Sequence, residues 1–410
     1  MSDNDFTFHH LETSEDIEEN LEIMRRVFGQ NEGVDLLVKK FIYNHPKMTL
    51  KNHFVIKHHG KMVATLNLIP LNWSIDDIPL KVAEMGCVAT LEEYRHQGLM
   101  RRLVNEYHEA IAEQGYDLSV IEGIPYFYRQ FGYEYALPLN EETRIPMEKL
   151  PDYKSKLAIR PFTNKDIPEA MKLLTKAQEK FYVHGTRDEQ IWKMQQETNM
   201  ISEHRFEAYA LENNDKMIAY FRIIRKPESK ELILLEVTDT DCPATNAILS
   251  FIKNIGKKGQ FETLVARTSY YDPLTRILVA LGAEQRVPPY AWQIRVTDYA
   301  CLLQKMKPLF EKRIARSEYC GLTEEVNLNF RRYIIQMTFE NGVITKVQKL
   351  SSAETCTVGV NPLVFIKLLL GYRCREELEM SYPDFYVHAK HKRLVDILFP
   401  QLPSYIHSVQ

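Results

Sequence analysis

Apolar positions recur at helical spacing over residues 11–29 (Leu11, Ile17, Leu21, Met24, Val27), with acids early in the stretch and Arg25-Arg26 late, the order a helix dipole favours. Helical spacing continues from Leu36 to Tyr43. Phe54–Ile56 and Met62–Leu66 then read as a hairpin turning on His58-His59-Gly60-Lys61. A further strand, Asn72–Ile75, turns at Asp76-Asp77 into a strand over Leu80–Thr90. After Gly98 the stripe Leu99, Met100, Leu103, Val104, Tyr107, Ile111 predicts a helix that stops before Gly115. Asp117–Ile121 reads as a short strand.

The composition turns polar and proline-bearing over 141–156, which reads as a linker, and a second unit opens at Ile159-Arg160-Pro161-Phe162. Its pattern gives helices over Ile167–Lys180 and Asp188–Glu197 and a hairpin of Phe206–Leu211 with Lys216–Ile224. A strand over Leu232–Thr238 follows, then a helix over Ala244–Lys257, a strand over Thr263–Thr268 and a helix over Pro273–Leu281. This order repeats that of the first unit. From Arg295 the pattern changes to a helix over Tyr299–Arg316, strands at 326–328 and 333–339, a type I′ signal at Asn341-Gly342, a strand over 343–350 and a helix over Pro362–Leu370. The chain thus divides into 1–145, 146–294 and 295–410.

The 410 residues exceed what one hydrophobic core serves. A net charge of −3 gives no basic excess for nucleic acid, and no apolar run reaches the about 18 residues of a membrane span. Six scattered cysteines without a Cys-x-x-Cys pair read as reduced thiols, hence a cytoplasmic protein with neither disulfide framework nor zinc site. The His58-His59 pair invites a metal reading, but neighbours on a strand point to opposite faces, so no metal is expected.

The candidate chemistry gathers between Glu84 and Ala136. A helix that starts at Gly98 presents unpaired N–H groups and the positive end of its dipole, and Gly98 lets an anion come against main chain. Arg95 and Arg101 add positive charge, so a diphosphate fits. Val88 to Met100 resembles the acetyl-CoA motif of GNAT acetyltransferases, Arg/Gln-x-x-Gly-x-Gly/Ala after a strand, departing from it at Met100. Gly98-Leu99-Met100 is similar to the version found in enhanced intracellular survival (Eis-like) N-acetyltransferases. The resemblance implies acetyl-CoA along Val88, Ala89 and Thr90, with its diphosphate on Arg95, His96, Gln97, Gly98, Leu99, Met100 and Arg101. Phe127-Tyr128-Arg129-Gln130-Phe131-Gly132-Tyr133 resembles the family's Tyr-x-x-Phe-Gly-Tyr signature, which implies Tyr128 as the acid that reprotonates the CoA thiolate. A phenol of pKa ~10 keeps its proton at neutral pH; by residue type alone Tyr126 and Tyr133 are rivals.

In the Eis-like family the second domain is a degenerate copy. Here Asp239-Thr240-Asp241-Cys242-Pro243 puts carboxylates where a diphosphate needs cations, in agreement with a copy that binds no CoA. The resemblance further implies a sterol-carrier-protein-like C-terminal domain, hexameric assembly, and a base supplied by the chain's last α-carboxylate, here that of Gln410. The fold expectation is therefore α/β (α+β), two tandem GNAT-like domains followed by that third domain. A free α-carboxylate of pKa ~3.3–3.7 facing an alkylammonium of ~10.4 is mismatched by ~6–7 units, about 8–9 kcal/mol, which burial must narrow. Glu84, which alternation places on the face of Gly86 and Val88, and His407, nearer in ordinary pKa, are the alternative bases.

The expected activity is transfer of acetyl from acetyl-CoA to an amine of a polyamine-like or aminoglycoside-like acceptor, or to a lysine side chain. The tail from Ser404 to Val409 offers no acid to attract a polycation, so a broader amine specificity is open. A non-catalytic CoA-binding scaffold and a peptidyl-lysine acetyltransferase acting on a protein partner are the alternatives.

Overall fold

The structure, a computed structural model, describes residues 5–29, 33–139, 141–286 and 291–407. Its first stretch comprises β1 (Phe6–His10), α1 (Ser14–Phe28), α2 (Val34–Tyr43), β2 (His53–His58), β3 (Lys61–Ile75), β4 (Ile78–Thr90), α3 (Leu99–Glu113), β5 (Leu118–Ile121), β6 (Glu134–Pro138) and β7 (Glu142–Pro146). α1 starts after Thr13 because the Thr13 hydroxyl accepts from Asp16 N while the Asp16 carboxylate accepts from Thr13 N, a reciprocal cap. β3 is one strand where the pattern predicts two: its middle is buried on both faces, so no alternation marks it. Pro70 is tolerated there because it falls between the stretch paired with β2 and the stretch paired with a later strand. The region read as a linker contains β7. Pro146 is the strand's last residue, and the buried Thr143 and Ile145 alternate with more exposed neighbours.

The second stretch comprises β8 (Ala158–Pro161), α4 (Ile167–Gln178), β9 (Val183–Thr186), α5 (Glu189–Thr198), β10 (Met200–Ile201), β11 (His204–Arg205), β12 (Glu207–Asn213), β13 (Lys216–Lys226), β14 (Glu231–Val237), α6 (Cys242–Gly259), β15 (Thr263–Ala266), α7 (Pro273–Ala280), β16 (Glu284–Arg286) and β17 (Ala291–Val296). The third comprises α8 (Tyr299–Lys305), α9 (Lys307–Ala315), β18 (Glu324–Asn329), β19 (Ile334–Glu340), β20 (Val343–Leu350), β21 (Val358–Gly359), α10 (Pro362–Leu369), α11 (Arg375–Ser381), β22 (Tyr386–Val387) and α12 (Lys392–Leu398). The single helix predicted over 299–316 is two, broken at Met306: Pro308 has no N–H to carry the ladder across the junction and fits only in the first turn of a new helix.

The first sheet has the order β1-β2-β3-β4-β5-β17-β6, with β9 also on β3, and the second β8-β12-β13-β14-β15-β7-β16. Position by position these are the same arrangement. Each has one parallel pair, β4 with β5 and β14 with β15, and each takes its next strand from the other stretch. The divisions expected at 145/146 and 294/295 thus run through the two exchanged strands. A third sheet runs β20-β19-β18-β21-β22.

One face of the first sheet packs on α3, whose Leu103, Val104, Tyr107 and Ile111 are fully buried against Phe54, Ala83 and Met85. Each such side chain contributes about 1.5–3 kcal/mol by leaving water. The opposite face shares one apolar core with the third stretch, where Val82, Val120 and Ile294 are continuous with Leu302, Phe310 and Phe365. The sheet is thereby held on both faces, and its strand ends beside α3 are free to form a site. No helix among the described residues is long and apolar enough to cross a membrane.

Candidate active site

β4 and β5 pair only from Val82–Leu118 to Glu84–Val120, and β4 then runs on to Thr90 paired with β3 but not with β5. Opposite β3, Thr65 faces Ala89 and Asn67 faces Gly86, so Leu66 spans both Cys87 and Val88. This bulge, with Cys87 at φ 50°, turns the strand away from β5 and leaves a cleft. A Cβ at Gly86 would lie 2.5 Å from Ile69 Cδ1, so any larger residue there must displace the end of the Ile69 side chain. Val88 and Thr90 are half-buried and Ala89 buried along the parted edge.

At the mouth of the cleft, Arg95, His96 and Gln97 form an exposed loop and Gly98, at φ 78°, begins α3 with no side-chain cap. Nothing lies within 4 Å of where a Gly98 Cβ would be, so the first N–H groups of α3 are open to an anion. Leu99 is buried and Met100 half-buried in the core, while Arg101 is exposed and donates from Nη2 to Gln130 Oε1 at 2.7 Å. Arg95 Nε reaches Thr90 O at 3.5 Å. At the matching place in the second sheet, Asp241 caps α6 by accepting from Ala244 N at 2.8 Å, and the helix end is occupied by the chain's own carboxylate.

The three tyrosines separate. Tyr133 is fully buried and its hydroxyl is tied to Ser119 Oγ at 2.7 Å and His108 Nε2 at 3.2 Å; burial pushes its pKa up. Tyr126 is 72% exposed. Tyr128 is buried on a single 3₁₀ turn, Phe127–Phe131, and one edge of its ring packs against Gly123, where a Cβ would come within 2.2 Å of Cε2. Gln293 Nε2 holds the Gly123 carbonyl at 2.7 Å, fixing that floor from β17.

Where β4 and β5 part, Glu84, Glu122 and Glu203 share a cavity of about 300 Å³ with Arg267, His204 and His407. Glu122 stands exposed at the rim of this cavity, yet the protein crowding its carboxyl desolvates it and raises it to about 7, with Glu203 adding to the rise and Arg267 opposing it. Glu203 goes the other way: burial acts against its charge, but Ser202, His204 and Lys226 hold its carboxyl below the ordinary value. The hairpin β10–β11 that carries Glu203 is latched to α2 by the buried Lys40, whose Nζ donates to Ser202 O at 3.2 Å. Burial lowers Lys40 to about 8. A larger cavity of about 890 Å³, reached past Pro138 and Leu139, touches neither the β4 edge nor the start of α3.

The tail enters the smaller, glutamate-lined cavity. Tyr182 N donates to Pro403 O at 2.7 Å, Tyr405 N to Val183 O at 3.0 Å and Tyr405 Oη to Arg267 O at 2.7 Å, bringing Tyr405, Ile406 and His407 to the wall. His407 is not the better-matched base that its residue type implies. It is buried against Gln178 Nε2 at 3.3 Å, and burial lowers it to about 4 although Glu236 pulls the other way. Gln410 lies outside the described residues.

The acids of the cavity come from β4, the end of β5 and the β10–β11 turn, three segments that no local pattern joins. The tail's lack of acids was therefore a poor guide to the charge around it. His58 and His59 also depart from the alternation argument: His59 takes φ 48° in the turn, so the two rings come within 4.1 Å, with Asp5 alongside.

Residues 10–136 match the family model described as an acetyltransferase (GNAT) domain. No curated protein matches the chain. Among solved structures, the chain is similar to a GCN5-related N-acetyltransferase from Anabaena variabilis, at 18% identity and TM-score 0.75 over 99% of this chain and 100% of that one. It is similar to a conserved protein of unknown function from Enterococcus faecalis, a probable N-acyltransferase, at 17% and 0.76 over 99% and 100%. Eis1 from Mycobacterium abscessus superposes at 13% and 0.67 over 98% and 100%. At these identities the likeness carries the fold.

Proposed function

We propose that this acyltransferase, which carries a GNAT acetyltransferase domain over residues 10–136, moves the acetyl group of acetyl-CoA onto a small cationic amine. The observation that carries this reading is the parting of β4 from β5 beside the uncapped, glycine-opened start of α3. Acetyl-CoA, the cosubstrate of GNAT domains, supplies the activated thioester. N–H groups from His96 to Arg101 bind its diphosphate, with Arg95 and Arg101 adding charge, and the edge of Val88, Ala89 and Thr90 lines the pantetheine arm. Main-chain N–H groups freed by the parting steady the thioester oxygen as charge develops on it.

Glu84, Glu122 and Glu203 draw the amine into the cavity. Glu122, at about 7, takes its proton. The mismatch to an alkylammonium then falls to ~3 units, about 5 kcal/mol, well under that of an ordinary carboxylate. The amine attacks the thioester carbon directly, the C–S bond breaks, Tyr128 gives its phenolic proton to the sulfur, and the second proton, lost from the new amide nitrogen, restores the Tyr128 phenol by way of solvent. The α-carboxylate of Gln410, implied as base by the Eis-like resemblance, is the rival to Glu122. The same resemblance, with Gly98-Leu99-Met100 and the fold shared with Eis1, supports reading the second unit as a GNAT-like copy without CoA, the third as sterol-carrier-protein-like, and the assembly as a hexamer. The shared strand order and the Asp241 cap favour the copy.

The test is release of free thiol from acetyl-CoA across a panel of monoamines, diamines, aminoglycosides and a lysine peptide. The panel is run on wild type, Tyr128→Phe, Glu122→Gln and a form with one residue added after Gln410. Turnover with diamines that falls in Tyr128→Phe and Glu122→Gln supports the reading. Loss on C-terminal extension alone moves the base to Gln410, and absence of thiol release with every amine refutes the proposal.

A further inference from the structure

Arg295 stands directly across from Ser119 on the α3 face of the first sheet, its stem lying over Gly132, where a Cβ would be 3.5 Å from Nε. Its guanidinium has no hydrogen-bond or ion-pair partner among the described residues, and its Nη1 is buried. Two residues on, the Thr297 hydroxyl is also buried without a partner. Both line a cavity of about 250 Å³ that the third unit closes with Tyr333 and Lys349. The Lys349 ammonium sits 4.2 Å from the Tyr333 ring centre and forms no ion pair among the described residues. The acid in this lining is Asp298, whose Oδ1 already accepts from Cys301 N at 2.9 Å. Two cations thus face one engaged carboxylate.

A guanidinium with a buried, unmet N–H is costly unless something accepts from it, and its planar fork matches an oxyanion better than a single acceptor. The volume lies below the about 300–1,000 Å³ of sites for drug-sized ligands. We propose that this seam cavity binds a small tetrahedral oxyanion, of the class of inorganic phosphate or sulfate, between Arg295, Thr297 and Lys349. The site is separate from the start of α3. It ties β17, and the turn that carries Tyr128 and ends at Gly132, to the β19–β20 ribbon.

Inorganic phosphate is titrated into the full chain in phosphate-free buffer, by calorimetry and thermal melting, against potassium chloride and acetate at equal ionic strength. Wild type is expected to show a saturable rise in melting temperature beyond both references. Arg295→Met, which keeps the stem over Gly132, is expected to bind phosphate at least tenfold more weakly. Lys349→Met, a change at an exposed position that leaves the core untouched, is expected to bind several-fold more weakly even if Arg295→Met fails to fold. Arg95→Ala with Arg101→Ala is expected to keep the seam response. The proposal is overturned if wild type answers phosphate no more than chloride. It is equally overturned if acetate matches phosphate, or if Lys349→Met and Arg295→Met retain wild-type affinity, which would place the anion elsewhere.

Discussion

Gly123→Ala tests how Tyr128 is held. Gly123 has an ordinary backbone conformation, so alanine costs nothing there except space. The added methyl would meet the Tyr128 ring at 2.2 and 2.3 Å, against ordinary carbon contacts of about 3.5–4.0 Å. The ring must therefore retreat by more than about 1 Å. Phe127 and Tyr133, with ring centres 5.0 and 6.1 Å away, pack against it and restrict that retreat. Overpacking of this kind costs about 1–3 kcal/mol of stability, and a misplacement of about 1 Å costs about 10²-fold in rate, or about 2.7 kcal/mol of barrier. Thiol-release kinetics at saturating acetyl-CoA should show kcat down about 10²-fold, with the KM for acetyl-CoA nearly unchanged because α3 is untouched. The urea midpoint reads the stability loss separately. Tyr128→Phe should lower kcat by about 10²–10⁴-fold, and the double variant should be no slower than Tyr128→Phe, since both changes remove the same proton donor. Wild-type kcat in Gly123→Ala, or losses that multiply in the double variant, would refute the assignment of Tyr128 as acid.

Three further outcomes follow from the geometry. Arg95→Ala and Arg101→Ala should each raise the KM for acetyl-CoA about tenfold while leaving kcat alone, the loss of a charge-assisted contact to phosphate; equal KM at low salt would count against the diphosphate site. Glu203→Gln should raise the KM for a diamine about tenfold and that for a monoamine much less, measured on the same amine panel. His407 titrates at about 4 in the fold against 6.5 ordinarily, so the unfolded chain binds the proton first as pH falls. The stability it contributes is complete above pH 6.5 and is lost progressively toward pH 4, by up to about 3 kcal/mol. His407→Asn should flatten that part of a urea-midpoint profile, and an unchanged slope would refute the burial argument.

The helix after Gly98 and the loop before it were legible in the sequence because one apolar stripe and one glycine define them locally. What escaped was non-local. β7 looked like a linker because five residues ending in Pro146 declare themselves a strand only when β15 is beside them. Glu122 and Glu203 carry no mark of function until folding sets them opposite Glu84. Residue type misjudged His407, whose proton affinity is set by what surrounds it.

The reciprocal loan of β7 and β17 has a consequence for anyone who cuts this chain. A fragment ending at 145 keeps every residue of the acetyltransferase match yet lacks the strand between β5 and β6, and with it the Gln293 amide that floors Tyr128. Its partner fragment, without β7, is left with an equal slot beside β15. Neither lobe is a separable module, and the two should melt together in one cooperative transition.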